Sequence, residues 1–282
     1  MSCNIFPPLR RGKKFIVLLP PSILSVEDSL IDKTSKAGFI SRILSIFRVD
    51  EVILYKDEET SDFDEKMLNL ILNYQVIPPH IKKKVMKKNK MLKYAGILPP
   101  LRLVNHDPPK KIEIGKILDG YIEKCDKDNC IIYLGMLGKG ILDKKEADDV
   151  NKSNKIITVR IKSINKNILL EKASWENLYT GYKVSKANSL KEEINKLRNN
   201  KNLIIGTSKF GDCFDKKIQD NLKNDIDKSN GIVLIFGGPH AELYKQKEKF
   251  DYILNTVLNQ GTLTVRTEEA LAATLSLFNH FV

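Results

Sequence analysis

Three short stretches share one design. Residues 203–208 read LIIGTS, residues 235–240 read IFGGPH, and residues 258–266 read LNQGTLTVR. In each, an apolar strand-like run passes at once into small or amide residues. Small residues at the carboxyl end of a parallel strand let a ligand approach backbone N–H and C=O groups. The candidates for such contacts are Ile205, Gly206, Thr207 and Ser208 in the first stretch. In the second they are Phe236, Gly237, Gly238 and Pro239. In the third they are Asn259, Gln260, Gly261, Thr262, Thr264, Val265 and Arg266. A plain turn needs a glycine and one polar residue. The row Asn259, Gln260, Gly261, Thr262 exceeds that, and predicts that something polar docks there, ahead of a buried strand-like LTVR.

Other chemistries have weaker support. No phosphate-binding G-x-x-x-x-G-K-[ST] loop occurs; GMLGKG (135–140) approximates one and reads as a hairpin turn. No G-x-G-x-x-G opens a helix after the first strand, which disfavours a common dinucleotide site. His80, His106, His240 and His280 lack ligand-like spacing and no Ser/His/Asp set emerges, so no metal site is expected. Cys125 and Cys130 flank DKDN, which reads as a hairpin turn. A disulfide across it is the alternative, disfavoured in a reducing compartment.

The net charge is +12, a balance that favours polyanions: RNA, DNA or an acidic membrane surface. Lys82, Lys83, Lys84, Lys87, Lys88 and Lys90 fall within nine residues that hold no acid. They form either a solvated face or a set of phosphate contacts. No stretch approaches the roughly 18 apolar residues of a membrane span. FIVLLP (15–20) ends in proline without a cleavage site and reads as a strand, not a signal. The expected location is the cytoplasm, or the nucleus in a eukaryote, with no membrane partner.

These residues need a frame. Strands are predicted at 15–20 and 51–57 and helices at 31–47 and 63–74, the alternation of a parallel α/β sheet. Residues 110–172 are mostly short strands with turn signals, which suggests a small barrel of OB or S1 type. Strands return at 203–208 and 231–238 with a helix at 214–226 between them. A last helix begins near Thr267, placed as its N-cap, with Glu268 and Glu269 in the first turn. The barrel is thus read as an insertion: 98–172 within a discontinuous α/β domain of residues 1–97 and 173–282.

The combination resembles the SPOUT superfamily, RNA methyltransferases with a C-terminal α/β knot, in its archaeal and eukaryotic branch with an OB-like insertion. LIDKTSKAGFISRILSIFRVDEVILYKD is similar to the N-terminal motif, and YAGILPPLR and LYTGYKV to the two edges of the insertion. IGTSKFGD, IVLIFGGPHAEL and NQGTLTVRTEEALAATLSL are similar to the three cofactor segments. One position departs: Phe210 stands where an arginine is expected, beside Lys209. The resemblance implies a trefoil-knotted parallel sheet, a homodimer and S-adenosylmethionine bound at the three segments. Asn259, Gln260, Gly261 and Thr262 would form a knot loop beside it, with Val265 and Arg266 on its floor. The activity implied is methylation of an RNA base, with a ribosomal RNA uridine as the family's target. Arg42, on the helix of SKAGFISR, is the candidate to act on substrate, or else pairs with solvent or phosphate. Glu268 either accepts from the substrate or only complements the helix dipole. The competing expectation is an RNA-binding ribosome-assembly factor with a vestigial cofactor pocket; a Rossmann-type nucleotide enzyme is a third.

Overall fold

The structure is a computed structural model that describes residues 6–147, 155–241 and 243–281; Cys3 lies outside the described residues. β1 (Lys14–Leu19) is buried at every residue after Lys14. A strand apolar on both faces belongs inside a parallel sheet with helices on either side. α1 (Leu30–Ile46) begins at Ser29, whose Oγ accepts the Asp32 N–H at 3.1 Å. β2 (Glu51–Tyr55), α2 (Asp62–Val76) and the single-turn α3 (Lys82–Val85) follow. Next come β3 (Ile117–Cys125), β4 (Asn129–Tyr133), β5 (Lys139–Asp143), the single-turn α4 (Lys144–Ala147), β6 (Ile156–Ile164) and β7 (Ile168–Lys172). The chain continues with β8 (Lys183–Ala187), α5 (Leu190–Asn199), β9 (Asn202–Cys213), α6 (Lys216–Lys228), β10 (Gly231–Ile235), β11 (Tyr252–Asn255) and α7 (Thr267–Phe278).

Two compact units result. One comprises Arg11–Asn73, Met91–Pro100 and Gly181–Val282. Its six parallel strands run in the order β11-β9-β10-β1-β2-β8. The first strand of the chain thus lies in the sheet's middle, beside a strand from the last quarter. Alternate residues choose opposite faces. Ile16 and Leu18 of β1 join Val233 and Ile235 of β10, and Ile194 and Leu197 of α5, in one core cluster. α1 packs against α7. The predicted helices are present within two residues at each end. β8, α5 and β11 are additional to the elements expected. KVSKA is an edge strand with one buried residue, so it carries no buried-strand pattern.

The other unit comprises Met1–Arg10, Tyr74–Lys90 and Leu101–Thr180. Its strands close a barrel in the order β3-β4-β5-β7-β6, with β5 and β7 parallel and the other pairs antiparallel. This is the small five-stranded barrel expected from the strand pattern. Ile157, Val159 and Ile161 alternate inward from β6 to meet Leu118, Ile132, Leu142 and Leu170. GMLGKG is a turn, with Gly138 at φ 88°.

The boundaries differ from those expected at 98 and 172, because polar contacts bind flanking segments to the barrel. Buried Asp119 accepts from Asn105 Nδ2 at 2.8 Å, Thr158 Oγ1 at 2.7 Å and Trp175 Nε1 at 2.9 Å. Its carbonyl accepts from His80 Nε2 at 2.7 Å. The turn at Asp126 is present, its Oδ1 accepting from Asp128 and Asn129 N–H. Cys125 and Cys130 take the disfavoured alternative and are joined by a disulfide; they are directly opposed in the β3–β4 ladder, which brings the sulfurs together.

Candidate functional site

β9 pairs with β11 in register up to Gly206↔Ile253, then resumes only at Asp212↔Leu254. Residues 207–211 have no partners in that ladder and bow out of it. The strand predicted at 203–208 therefore runs on to Cys213, with the bowed segment inside it. Thr207, Ser208, Lys209 and Phe210 line one side of a cavity of about 320 Å³. Thr207 Oγ1 donates to Ile235 O at 3.1 Å, which ties this segment to the end of β10.

Phe236, Gly237, Gly238 and Pro239 form a second wall. Tyr55 donates its hydroxyl proton to Phe236 O at 2.6 Å; burial, then the charge of Asp57, raises its phenol pKa above the usual tyrosine range. Thr267 Oγ1 donates to Gly237 O at 3.0 Å. Thr267 is thus not the N-cap of α7. Arg266 holds that position, and its N–H is accepted by the Glu269 carboxylate at 2.9 Å.

The third stretch turns largely on itself. Asn259 sits at φ 50°, a left-handed conformation that asparagine tolerates better than most residues. Gln260 Nε2 donates to Thr262 O at 2.8 Å and Leu263 O at 3.1 Å. Thr262 Oγ1 donates to Thr264 O at 2.8 Å. The polar row therefore closes its own loop, whatever else it binds. LTVR is no buried strand: Leu263 is 88% exposed. Gln260, Thr264 and Val265 reach the cavity wall, whereas Asn259, Gly261, Thr262 and Arg266 do not.

Ile205 and Gly206 are not part of the lining. The glycines have neighbours of their own. A Cβ on Gly206 would press on the Phe250 ring at 3.1 Å, one on Gly237 would meet Ala241 Cβ at 2.7 Å, and one on Gly238 would meet Asp57 Oδ2 at 2.6 Å. At Gly237 and Gly238 a neighbour would have to shift, and at Gly206 the Phe250 ring would have to give by a few tenths of an ångström, so protein packing already favours glycine at these three. Around Gly261 nothing lies within 4 Å.

Neither catalytic candidate lines the cavity. Glu268 is buried, and its Oε1 lies 3.3 Å from Lys36 Nζ and 4.0 Å from Arg266 Nη1. Lys36 also pairs with Glu27 at 2.7 Å. Arg42 Nη1 donates to Pro100 O at 2.7 Å, fixing α1 against the YAGILPPLR segment. In the basic run, Lys82 lies 4.1 Å from the Tyr74 ring centre, and burial lowers its pKa to about 8. Lys84 pairs with Glu123 at 2.6 Å. Lys83, Lys87, Lys88 and Lys90 are exposed.

Sequence reasoning missed the fourth wall. Leu254, Asn255, Thr256 and Val257 close it, at the end of β11 and directly after. Asn255 Nδ2 donates to Lys209 O at 3.0 Å and its Oδ1 accepts the Val257 N–H at 3.1 Å. The available signal was DYILNT, a short apolar run ending in Asn-Thr like the other three. Leu243 and Tyr244 also line the cavity, and nothing local marks them. Among the described residues, no group of three or more His, Cys, Asp or Glu side chains is arranged to hold a metal ion.

The model of the family described as "Putative RNA methyltransferase" matches residues 14–278. A protein of Haloarcula marismortui, itself uncharacterised, is 28% identical over 280 residues, covering 92% of this chain and 96% of its own length. The 28S rRNA (uridine-N(3))-methyltransferase of Mus musculus is 27% identical over 303 residues, covering 92% of this chain and 74% of that one. Among solved structures, the SpoU methyltransferase AviRb of Streptomyces viridochromogenes, in complex with the cofactor AdoMet, aligns at 10% identity with a TM-score of 0.39. That alignment covers 99% of this chain, which spans 62% of the other's length.

Proposed function

This chain belongs to the RNA methyltransferase family whose model matches residues 14–278, its parallel sheet and closed barrel making a SPOUT-like α/β fold, and from that premise we propose that it transfers a methyl group from S-adenosylmethionine to a base of RNA, a ribosomal RNA uridine. The observation that carries this reading is the cavity at the bowed segment of β9 and the carboxyl ends of β10 and β11, the end of a parallel sheet where ligands bind. The uridine is supported by the relative in Mus musculus.

The lining fits such a molecule. A volume of about 320 Å³ is that of a small-molecule site, and the walls mix apolar with hydrogen-bonding side chains. Leu243, Leu254 and Val257 offer apolar surface; Thr207, Ser208, Asn255, Thr256 and Gln260 offer donors and acceptors. When bound, S-adenosylmethionine supplies an electrophilic methyl group on its sulfonium. The chain's work is to hold both reactants in line and keep water out. Arg42 holds a phosphate or stabilises charge on the target base through its planar guanidinium. Lys83, Lys87, Lys88 and Lys90 contact RNA phosphates. Two copies form the working unit, supported by a stripe of exposed apolar residues on α1, Ile31, Phe39 and Ile46. Sedimentation should then give twice the chain mass of 32.1 kDa. The place of action is that of the RNA: the cytoplasm, or the nucleus of a eukaryote.

Two measurements test the reading. Calorimetry should detect S-adenosylmethionine binding at about one molecule per chain. Mass spectrometry of ribosomal RNA from cells without this gene should lack one methylated uridine present in cells that have it. RNA binding without cofactor binding, and with unchanged RNA, would favour the assembly-factor alternative.

A further inference from the structure

Two aromatic rings stand at the edge of the cavity without being buried in it. Phe210 is 65% exposed and Tyr244 is 38% exposed, and both contribute to the lining. Their centroids are 6.4 Å apart, with the rings inclined at 58°. Leaving so much aromatic surface in water forfeits the stabilisation that burial would bring. The backbone under each ring is nonetheless held. Phe210 N–H donates to Ser208 Oγ at 3.2 Å, and the preceding carbonyl, of Lys209, accepts from Asn255. Tyr244 follows buried Leu243 in the 3-10 stretch Leu243–Lys249. A cation accompanies each ring. Lys209 Nζ lies 5.1 Å from the Phe210 centroid, and Lys247 Nζ lies 5.7 Å from that of Tyr244. Among the described residues, no carboxylate pairs with either lysine.

We propose that Phe210, backed by Tyr244, is a stacking platform for a base of single-stranded RNA at the mouth of the cavity, with Lys209 and Lys247 contacting the flanking phosphates. The proposal rests on the reading of this chain as an RNA methyltransferase and names how its substrate is held. A π-face beside unpaired cations matches what a nucleotide presents: a flat base and an anionic linkage. A protein surface docking here would bury two lysines and would have to supply acids for them. Stacking tolerates any base, so the platform would position a strand while other contacts choose the target.

The test uses the full chain without cofactor and two oligonucleotides of equal length. One is an oligouridylate carrying a single 2-aminopurine; the other has the same backbone with abasic residues. Stacking on a base is worth roughly 1–3 kcal/mol. Phe210→Ala, alone and with Tyr244→Ala, should therefore weaken binding of the base-bearing strand by about 5- to 150-fold. Binding of the abasic strand should stay within about twofold, because only phosphate contacts serve it. Phe210→Trp should restore binding and the fluorescence quenching that reports stacking. An equal loss on both strands, or no loss on either, overturns the proposal. So does a change in sedimenting mass of the double variant, which would make the rings a contact between subunits. If the platform behaves as described but no cofactor binds and no RNA is methylated, the stacking inference stands and the enzymatic reading fails. If the double variant methylates RNA at the wild-type rate, the enzymatic reading stands and the platform falls.

Discussion

Asn255 and Arg42 sit at opposite ends of one question: which residues serve the cofactor and which serve the RNA. The Asn255 amide joins the bowed segment of β9 to the loop after β11, through Lys209 O and Val257 N–H. Arg42 is anchored instead at Pro100 O and lines no part of the cavity. Asn255→Ala removes two hydrogen bonds that hold two walls together. Allowing about 1.5 kcal/mol for that loss, S-adenosylmethionine affinity should fall about tenfold. Arg42→Ala should leave that affinity near wild type and lower methyl transfer by roughly 10²-fold, the usual size for one preorganised electrostatic group. Calorimetry and a single-turnover methylation assay separate the two. If both variants weaken cofactor binding alike, the division of labour is wrong. Glu268 fits neither role easily, since its carboxylate is committed to Lys36 and Arg266.

Among elements, the segment after α2 has a pH dependence of its own. His106 Nε2 donates to Val76 O at 3.1 Å. Burial, then the positive charge of Lys82 and a smaller influence of His80, lowers its pKa from 6.5 to about 4; the Val76 hydrogen bond and Asp119 oppose this only in part. The sign follows from proton counting. Between pH 6.5 and 4 the unfolded chain binds a proton that the folded chain refuses, so stability rises with pH across that window. It is fully present above about 6.5 and lost as pH falls toward 4, by roughly 3 kcal/mol. Glu123 and Asp126, held below their ordinary values of 4.5 and 3.8, by Lys139 and Lys84 and by backbone N–H donors respectively, lose their contribution only at lower pH. Denaturant titrations at pH 7, 6 and 5 should show the decline, and His106→Gln should flatten it. An unchanged slope would mean that His106 is solvated in the folded chain. Polar side chains at His80, Asn105 and Trp175, outside the barrel strands, all bond to Asp119 of the barrel.

For the whole molecule, charge sets the first prediction and folding decides which charges count. The net charge of +12 favours RNA at long range. Of the six-lysine run, Lys82 packs on Tyr74 and exposed Lys84 is paired with Glu123, which leaves Lys83, Lys87, Lys88 and Lys90 as the exposed set with no carboxylate partner among the described residues. Neutralising those four should weaken single-strand binding and lower the salt slope by roughly 0.7 for each phosphate that is no longer neutralised. An unaltered slope would mark them as merely solvated. The exposed set was not separable in sequence, because a lysine's partner lies on another element. Much else was legible. Runs such as FIVLL and IVLI are apolar at every position, and only a strand covered on both faces hides such a run from water. The alternation in IITVRIKSI specified a barrel strand in the same way. The three strand-end segments stood out as candidates because small residues there are costly unless something approaches closely. Tertiary structure decided which of their side chains reach the cavity, and added Asn255 and Thr256 from a strand too short to stand out. It also showed that Gln260 and Thr262 bond to their own loop and that Gly206, Gly237 and Gly238 make room for Phe250, Ala241 and Asp57. Periodicity reports which face of an element is apolar. It does not report which distant side chain meets that face, and a register jump between two strands, as in β9 and β11, leaves no mark in either sequence.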